Sequence, residues 1–448
     1  MIKKFHHSIS LYFMIAVSLF AVLPVNAQNA EINNIISVKD SLSLDQIMEV
    51  VIENHPTIKK AEESISQADA RVGIAKSGYY PTIDASANVS NVGPVPALEV
   101  PGLGSFQLFP RNNISLGINV YQNIYDFGKT ATNIDFANEN KDLLEKVAGV
   151  TKDKMAIGVV QNYYALVYLQ QAIKINDEQL AALNEHLNFV KKKKATGSGT
   201  DFEILSTQVK ISRAESQKLD IEAARDMQLA VLNSLMGLPV KDYHVVKESL
   251  NIEHPDIPSD SLISYAVVHR KEMQIDEKQT EIAKLHLKMV KIQNNPSINF
   301  IAEGGMKNGY VPDINKVKPN YVVGLGIKVP IFDGTRSKYN EMIARSEIET
   351  SNFDRETLHR TISTEVIENE TGLQKALQKV DQAKVQLMQA QKAYELARVN
   401  YSAGAITNLD LLDAETSVSE SKLILLKSQI DYVVGVYQLE SSLGQQLY

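Results

Sequence analysis

The chain repeats itself. Ile124-Tyr125-Asp126 recurs as Ile331-Phe332-Asp333, Gly197-x-x-Thr200 as Gly404-x-x-Thr407, and Ser234-Leu235-Met236-Gly237 as Ser441-Ser442-Leu443-Gly444, all at one offset of 207 residues. Upstream the offset is 215: Ile58 matches Met273, and Pro81-Thr82-Ile83 matches Pro296-Ser297-Ile298. The eight-residue difference falls between Pro81 and Asp126, so the first half has the longer loop. A duplication this regular makes each half one architectural unit. The unit runs helix, strand, loop, strand and then a long helical hairpin. The halves are drawn at 28–240 and 241–448.

Missing proline marks the hairpins. None occurs between Pro110 and Pro239, nor from Ile331 to the C-terminus. Each stretch turns near its middle at a glycine, in tips at 195–201 and 402–408, which leaves pairs of helices of about 40–65 residues, ~60–100 Å long. Leu409, Leu412, Thr416, Ser419, Leu423, Leu426, Ile430, Val433 and Tyr437 alternate by three and four, the seam of a coiled coil. Helices this long predict a rod or a tube.

The strands have the other period. Ile83, Ala85, Ala87 and Val89 alternate with Asp84, Ser86, Asn88 and Ser90, and Ile114, Leu116, Ile118 and Val120 continue the pattern on the return strand. The second half repeats it with Ile298, Phe300 and Ala302, then Tyr321, Val323, Leu325, Ile327 and Val329. The hairpins span about 82–123 and 297–330. Strands of nine to eleven residues suit a tilted bilayer crossing, apolar side outward. Tyr79, Tyr80, Tyr121, Tyr125, Phe127 and Phe332 crowd the ends nearest the helices, where an aromatic girdle sits. A soluble sandwich shows the same alternation. Four strands are too few for a barrel, since bacterial barrels start at eight. Several chains pooling their strands is the better reading.

Composition excludes much. There is no cysteine, so no disulfide, thiolate metal site or cysteine nucleophile. Net charge is −7, and without residues 1–27, which contain Lys3, Lys4 and no acid, it is −9. That argues against nucleic acid. Residues 1–27 read as a signal peptide: two lysines, an apolar run from Ile9 to Leu23, and Val25-Asn26-Ala27 before the cleavage point. The nine histidines form no metal-spaced pair, and no phosphate loop, nucleophile elbow or zinc-protease motif appears. Lys191 to Lys194 close a helix, where cations favour the dipole. The apolar loop 93–110 reads as an ordered external loop. No cofactor, metal or catalytic residue is expected.

The duplicated hairpins, the strand-ending Asn123-Ile124-Tyr125-Asp126-Phe127-Gly128 and Pro330-Ile331-Phe332-Asp333-Gly334, and above all the segment from Tyr401-Ser402-Ala403-Gly404 through Asn408-Leu409-Asp410-Leu411-Leu412-Asp413-Ala414 resemble the TolC-like outer-membrane efflux protein family over nearly all of the chain after residue 27. The resemblance implies an α+β membrane protein. Three chains share a twelve-stranded outer-membrane β-barrel continuous with a periplasmic α-barrel tunnel of coiled-coil hairpins. It implies an exit duct in a tripartite efflux or type I secretion system, with a periplasmic adaptor, an inner-membrane transporter and outer-membrane lipid as partners. A non-conducting periplasmic coiled-coil scaffold is the alternative.

At the tips, Thr200-x-x-Glu203 and Thr407-x-x-Asp410 have the form of capping boxes, and Gly197 and Gly404 fit the left-handed position that ends a helix. Capping alone suffices for Glu203. Asp413 lies beyond the first turn and is poorly explained by it. Asp410 and Asp413 match the family's constricting aspartates, so three copies place six carboxylates at one aperture, where crowding raises some pKa values. Glu203 and Tyr401 join this gate. The resemblance makes Thr196, Gly197, Ser198, Ala403, Gly404 and Ala405 the expected adaptor-docking turns. Ile406 stands where well-known members carry an arginine that helps hold the tip closed.

Overall fold

The computed structural model describes residues 41–102, 104–240, 246–247 and 261–448; the signal-peptide expectation lies outside them. The first half runs α1 (Leu44–Asn54), α2 (Pro56–Ser77), β1 (Thr82–Asn91), β2 (Ala97–Val100), β3 (Gly104–Gln107), β4 (Asn112–Tyr125), α3 (Lys129–Ala195) and α4 (Asp201–Met236). The second runs α5 (Leu262–His269), α6 (Lys271–Ile292), β5 (Ser297–Lys307), β6 (Lys318–Lys328), α7 (Arg336–Ser402) and α8 (Asn408–Ser442). The halves correspond element for element, except that β2 and β3 pair as a small hairpin inside the 93–110 loop.

The long helices are unequal. α3 and α7 are 67 residues each, about 100 Å at 1.5 Å per residue, whereas α4 and α8 are 36 and 35. The shortfall is made up by α2 and α6. Near the strands α2, α3, α6 and α7 lie side by side; near the tips the order is α4, α3, α8, α7. Each chain thus presents a four-helix cross-section along its length. Where the layers meet, two clusters repeat the internal symmetry. Ile47 and Val51 of α1 bury against Val160, Leu166, Leu232 and Ile430, and Leu262 and Ala266 of α5 against Ile362, Leu373, Val436 and Leu439.

The single seam expected on α8 is half of its packing. Leu412, Ser419, Leu426, Ile430 and Val433 are buried, but Leu409 is exposed, and Leu411, Glu415, Val436 and Leu439 are buried on a second face. The reason is positional: α8 lies between α7 and α3, so it needs two seams.

The strands form one open antiparallel sheet in the order β1-β4-β5-β6. Its register puts Ala87, Leu116 and Met306 in one cross-strand row, and Val120, Ala302 and Val323 in another. Directly opposed residues share a face, so one side of the sheet is predominantly apolar. Asp84, Asn119 and Glu303 make a row on the other side. Neither face is covered: on the apolar face Val89 is 76% exposed and Leu325 70%, and on the other Val322, opposite Glu303, is 53%. β4 extends to 14 residues, longer than the sequence pattern suggested, because it pairs on both sides and passes a bulge at Asn123/Tyr125. No helix among the described residues is long and apolar enough to cross a membrane.

Candidate functional site

The two 67-residue helices, α3 and α7, each start after a strand, at the repeated aspartate. The Asp126 carboxylate accepts the backbone N–H groups of Gly128 and Thr130 at 3.1 and 2.8 Å, and Asp333 accepts that of Ser337 at 3.0 Å. An anion there satisfies amides that a helix N-terminus leaves free and sits favourably in its dipole. Between strand and helix the backbone takes positive φ at Phe127 and Thr335. The sequence motif thus fixes the joint between sheet and wall, a role that repetition alone did not reveal.

At the far end the two tips share one backbone design. In tip 1 Ser198 N–H donates to Lys193 C=O and Gly197 N–H to Lys194 C=O, both at 2.9 Å. In tip 2 Ala405 N–H donates to Asn400 C=O at 2.8 Å and Gly404 N–H to Tyr401 C=O at 3.1 Å. Both are Schellman closures, which require the left-handed conformation at the glycine; Gly197 has φ +77° and Gly404 φ +75°. Thr196, Ser198, Ala403 and Ala405 are exposed around them.

Both capping boxes form, and they differ in what else their acids do. Glu203 Oε2 accepts Thr200 N–H at 2.9 Å, while its Oε1 accepts the Tyr401 hydroxyl at 2.9 Å. Capping is therefore only half of its role. Burial would raise the Glu203 pKa, but the Thr200 and Tyr401 hydrogen bonds outweigh it and hold the carboxyl below its usual value. Burial, reinforced by that carboxylate, pushes the Tyr401 phenol up. Lys193 Nζ lies 4.4 Å from the Tyr401 ring centroid, within cation–π range. Asp410 accepts both the N–H and the hydroxyl of Thr407, at 2.9 and 2.7 Å. These hydrogen bonds lower its pKa. Asp413 is bound from another helix: Lys210 Nζ of α4 lies 2.9 Å from its Oδ1.

Sequence reasoning missed the polar link beneath. Asn408 Oδ1 lies 2.6 Å from His186 Nε2 on α3, and its amide nitrogen donates to Ser206 Oγ on α4 at 3.1 Å. Tyr401, Asn408 and Asp413 thus tie the second hairpin to the first at three points, without an arginine at position 406. No group of His, Asp or Glu among the described residues could hold a metal ion.

This architecture defines a class: a sheet apolar on one face and polar on the other, carried on a helical wall about 100 Å long. A model described as outer membrane efflux protein matches residues 47–238 and 262–445, one match to each half. The outer membrane efflux protein BepC of Brucella suis is 20% identical over 396 residues, covering 88% of this chain and 83% of BepC. The cation efflux system protein CusC of Escherichia coli K12 is 21% identical over 410 residues, covering 87% and 84%. In fold, the chain matches the CmeC outer membrane channel of Campylobacter jejuni with a TM-score of 0.75 at 17% identity, over 90% of this chain and 85% of that one. The chain belongs to the outer membrane efflux protein family. It is an outer-membrane channel, the exit duct of an export system whose other components lie inward of it.

Proposed function

We propose that three copies assemble head to tail. Their sheets pool into a twelve-stranded barrel, their helices continue it as a periplasmic tunnel, and the tips form the gate and the docking ring. The observation carrying this is the uncovered two-faced sheet with unpaired edges at β1 and β6. In lipid each unpaired backbone group costs several kcal/mol, so the edges must meet strands of another copy. Three sheets of four give a closed barrel; one or two do not reach the size of a conducting channel as naturally. The outer helices support the same ring: α4 exposes Phe202, Leu205 and Val209 near the tip, and α7 exposes Met388, Leu396 and Val399. The α4 edge of one copy packs on the α7 edge of the next.

In this assembly Asp410 and Asp413 line the inner aperture, and Tyr401 and Glu203 brace it. The turns at Thr196-Gly197-Ser198 and Ala403-Gly404-Ala405 meet a periplasmic adaptor, which connects the duct to an inner-membrane transporter that supplies the energy. Outer-membrane lipid surrounds the barrel. Planar-bilayer recordings test the aperture. With Asp410→Ala and Asp413→Ala combined, conductance should rise, and cation selectivity and block by multivalent cations should fall, because close carboxylates in a narrow passage focus negative potential. Selectivity and block unchanged in the double variant would remove both aspartates from the aperture.

A further inference from the structure

Two residues beyond Asp413, and therefore about 200° round α8, Glu415 points away from that aspartate into the wall. It is 6% exposed, and its Oε2 has no hydrogen-bond partner. Its Oε1 receives a long 3.4 Å contact from Ser419 Oγ on the same helix, and the Gln179 amide of α3 lies alongside. A mid-helix glutamate ordinarily turns to water, since an unpaired buried carboxylate is among the costliest groups to place in an interior. The cations that could neutralise it are bound elsewhere. Lys210 of α4 holds Asp413 at 2.9 Å, and Lys422 of α8 holds Glu178 of α3 at 2.6 Å. Tyr394 of α7 is a further neighbour, and Arg398 of α7 and Glu185 of α3 act on its phenol; none of the three donates to the free oxygen.

We propose that Glu415 is a proton-operated joint in the tunnel wall: uncharged, it lets α3 and α8 pack, and ionised, it loosens the seam that joins the first helical hairpin to the second just above the gate. The location gives the joint its leverage. α3 and α8 are where the two hairpins of one chain meet, so water entering this seam frees the α7–α8 pair to move against α3–α4. Burial is the largest influence on the carboxyl, raising its pKa to about 7 against the weaker pull of Gln179, Ser419, Lys210 and Lys422. The sign follows. A carboxyl raised from its ordinary 4.5 favours the packed seam fully below pH 4.5, progressively less as pH rises to about 7, and no less beyond that. Loosening therefore increases with pH from 4.5 to about 7 and holds above that.

The inference rests on the tunnel reading only for its consequence, because the packing of the seam can be measured whether or not the protein conducts. Hydrogen exchange of the α3 and α8 amides flanking Gln179 and Glu415 should be followed in the assembled full-length protein from pH 5 to 8, corrected for intrinsic exchange rates. In the unsubstituted protein the local opening constant should rise by about tenfold per pH unit below neutrality, the slope of one proton, and level off above it. Glu415→Gln should remove that slope and stay as protected at pH 8 as at pH 5. A flat profile in the unsubstituted protein, or an equal slope in Glu415→Gln, overturns the proposal. Because a neutral side chain should favour the packed seam, failure of both Glu415→Gln and Glu415→Leu to assemble would overturn it too.

Discussion

The two helical tips are built on one backbone plan and surrounded by different chemistry. Both close with a Schellman turn at a left-handed glycine and reopen with a threonine cap. Tip 1 follows a helix end carrying Lys192, Lys193 and Lys194; the last turn before tip 2 has no basic residue, and its following helix brings Asp410 and Asp413. Duplication preserved what the turn needs and left the side chains free to diverge. The divergence is complementary: Lys193 of tip 1 lies over Tyr401 of tip 2, Glu203 accepts its hydroxyl, and Lys210 binds Asp413. Two tips that no longer resemble each other in charge hold each other.

The comparison breaks hardest at Tyr401. Tyr401→Phe leaves Glu203 Oε1, partly buried, without its donor, and should cost about 1–3 kcal/mol of tip stability. Both tips should lose exchange protection, not tip 2 alone; loss confined to α7 and α8 would show that the tips are independent. Gly197→Val and Gly404→Val come next. Nothing crowds either position, so the cost is the left-handed backbone alone, about 1–2 kcal/mol at each. The two values should agree within a few tenths, while the amount of protein in the outer membrane holds, because the sheet lies a helix length away. Thr200→Ala and Thr407→Ala should each cost about 1 kcal/mol, with Thr200→Ala the milder, since Glu203 keeps Tyr401. The smallest effect belongs to Lys210→Met, below about 1 kcal/mol because the Asp413 side chain is largely exposed.

Acid sharpens the contrast between the tips and the wall above them. Glu203 and Asp410 are held below their ordinary values of 4.5 and 3.8. Their contribution is complete above those values and is lost as pH falls through the depressed ones. In one pH series, exchange should show the seam at Glu415 tightening as pH falls from about 7 to 4.5, and the tips losing protection only below 4.5.

What was legible in the sequence was local. The alternation Ile83, Ala85, Ala87, Val89 marked a strand, and Thr200-x-x-Glu203 and Thr407-x-x-Asp410 marked helix starts, because each depends on neighbours within a few positions. The repeat added the correspondence of the halves. The contacts between hairpins were hidden, since Tyr401 and Glu203 are 198 positions apart and Lys210 and Asp413 are 203. No spacing rule reaches that far. The resemblance pointed to Tyr401, Glu203 and Asp413, but not to Lys210, Asn408 or His186. Glu415 was hidden for another reason: it falls outside the one seam that the spacing of three and four marks on this helix.

The central claim is that sheets of separate copies join edge to edge, and the absence of native cysteine allows it to be tested directly. With Ala87→Cys on β1 and Leu325→Cys on β6, the two edge strands, isolated outer membranes can be treated with short bifunctional maleimides spanning a range of lengths. The account expects a covalent ladder of one, two and three chains that ends at three, and no ladder from either single variant. A protein that remains a monomer at every linker length, or a ladder that continues past three, would contradict it.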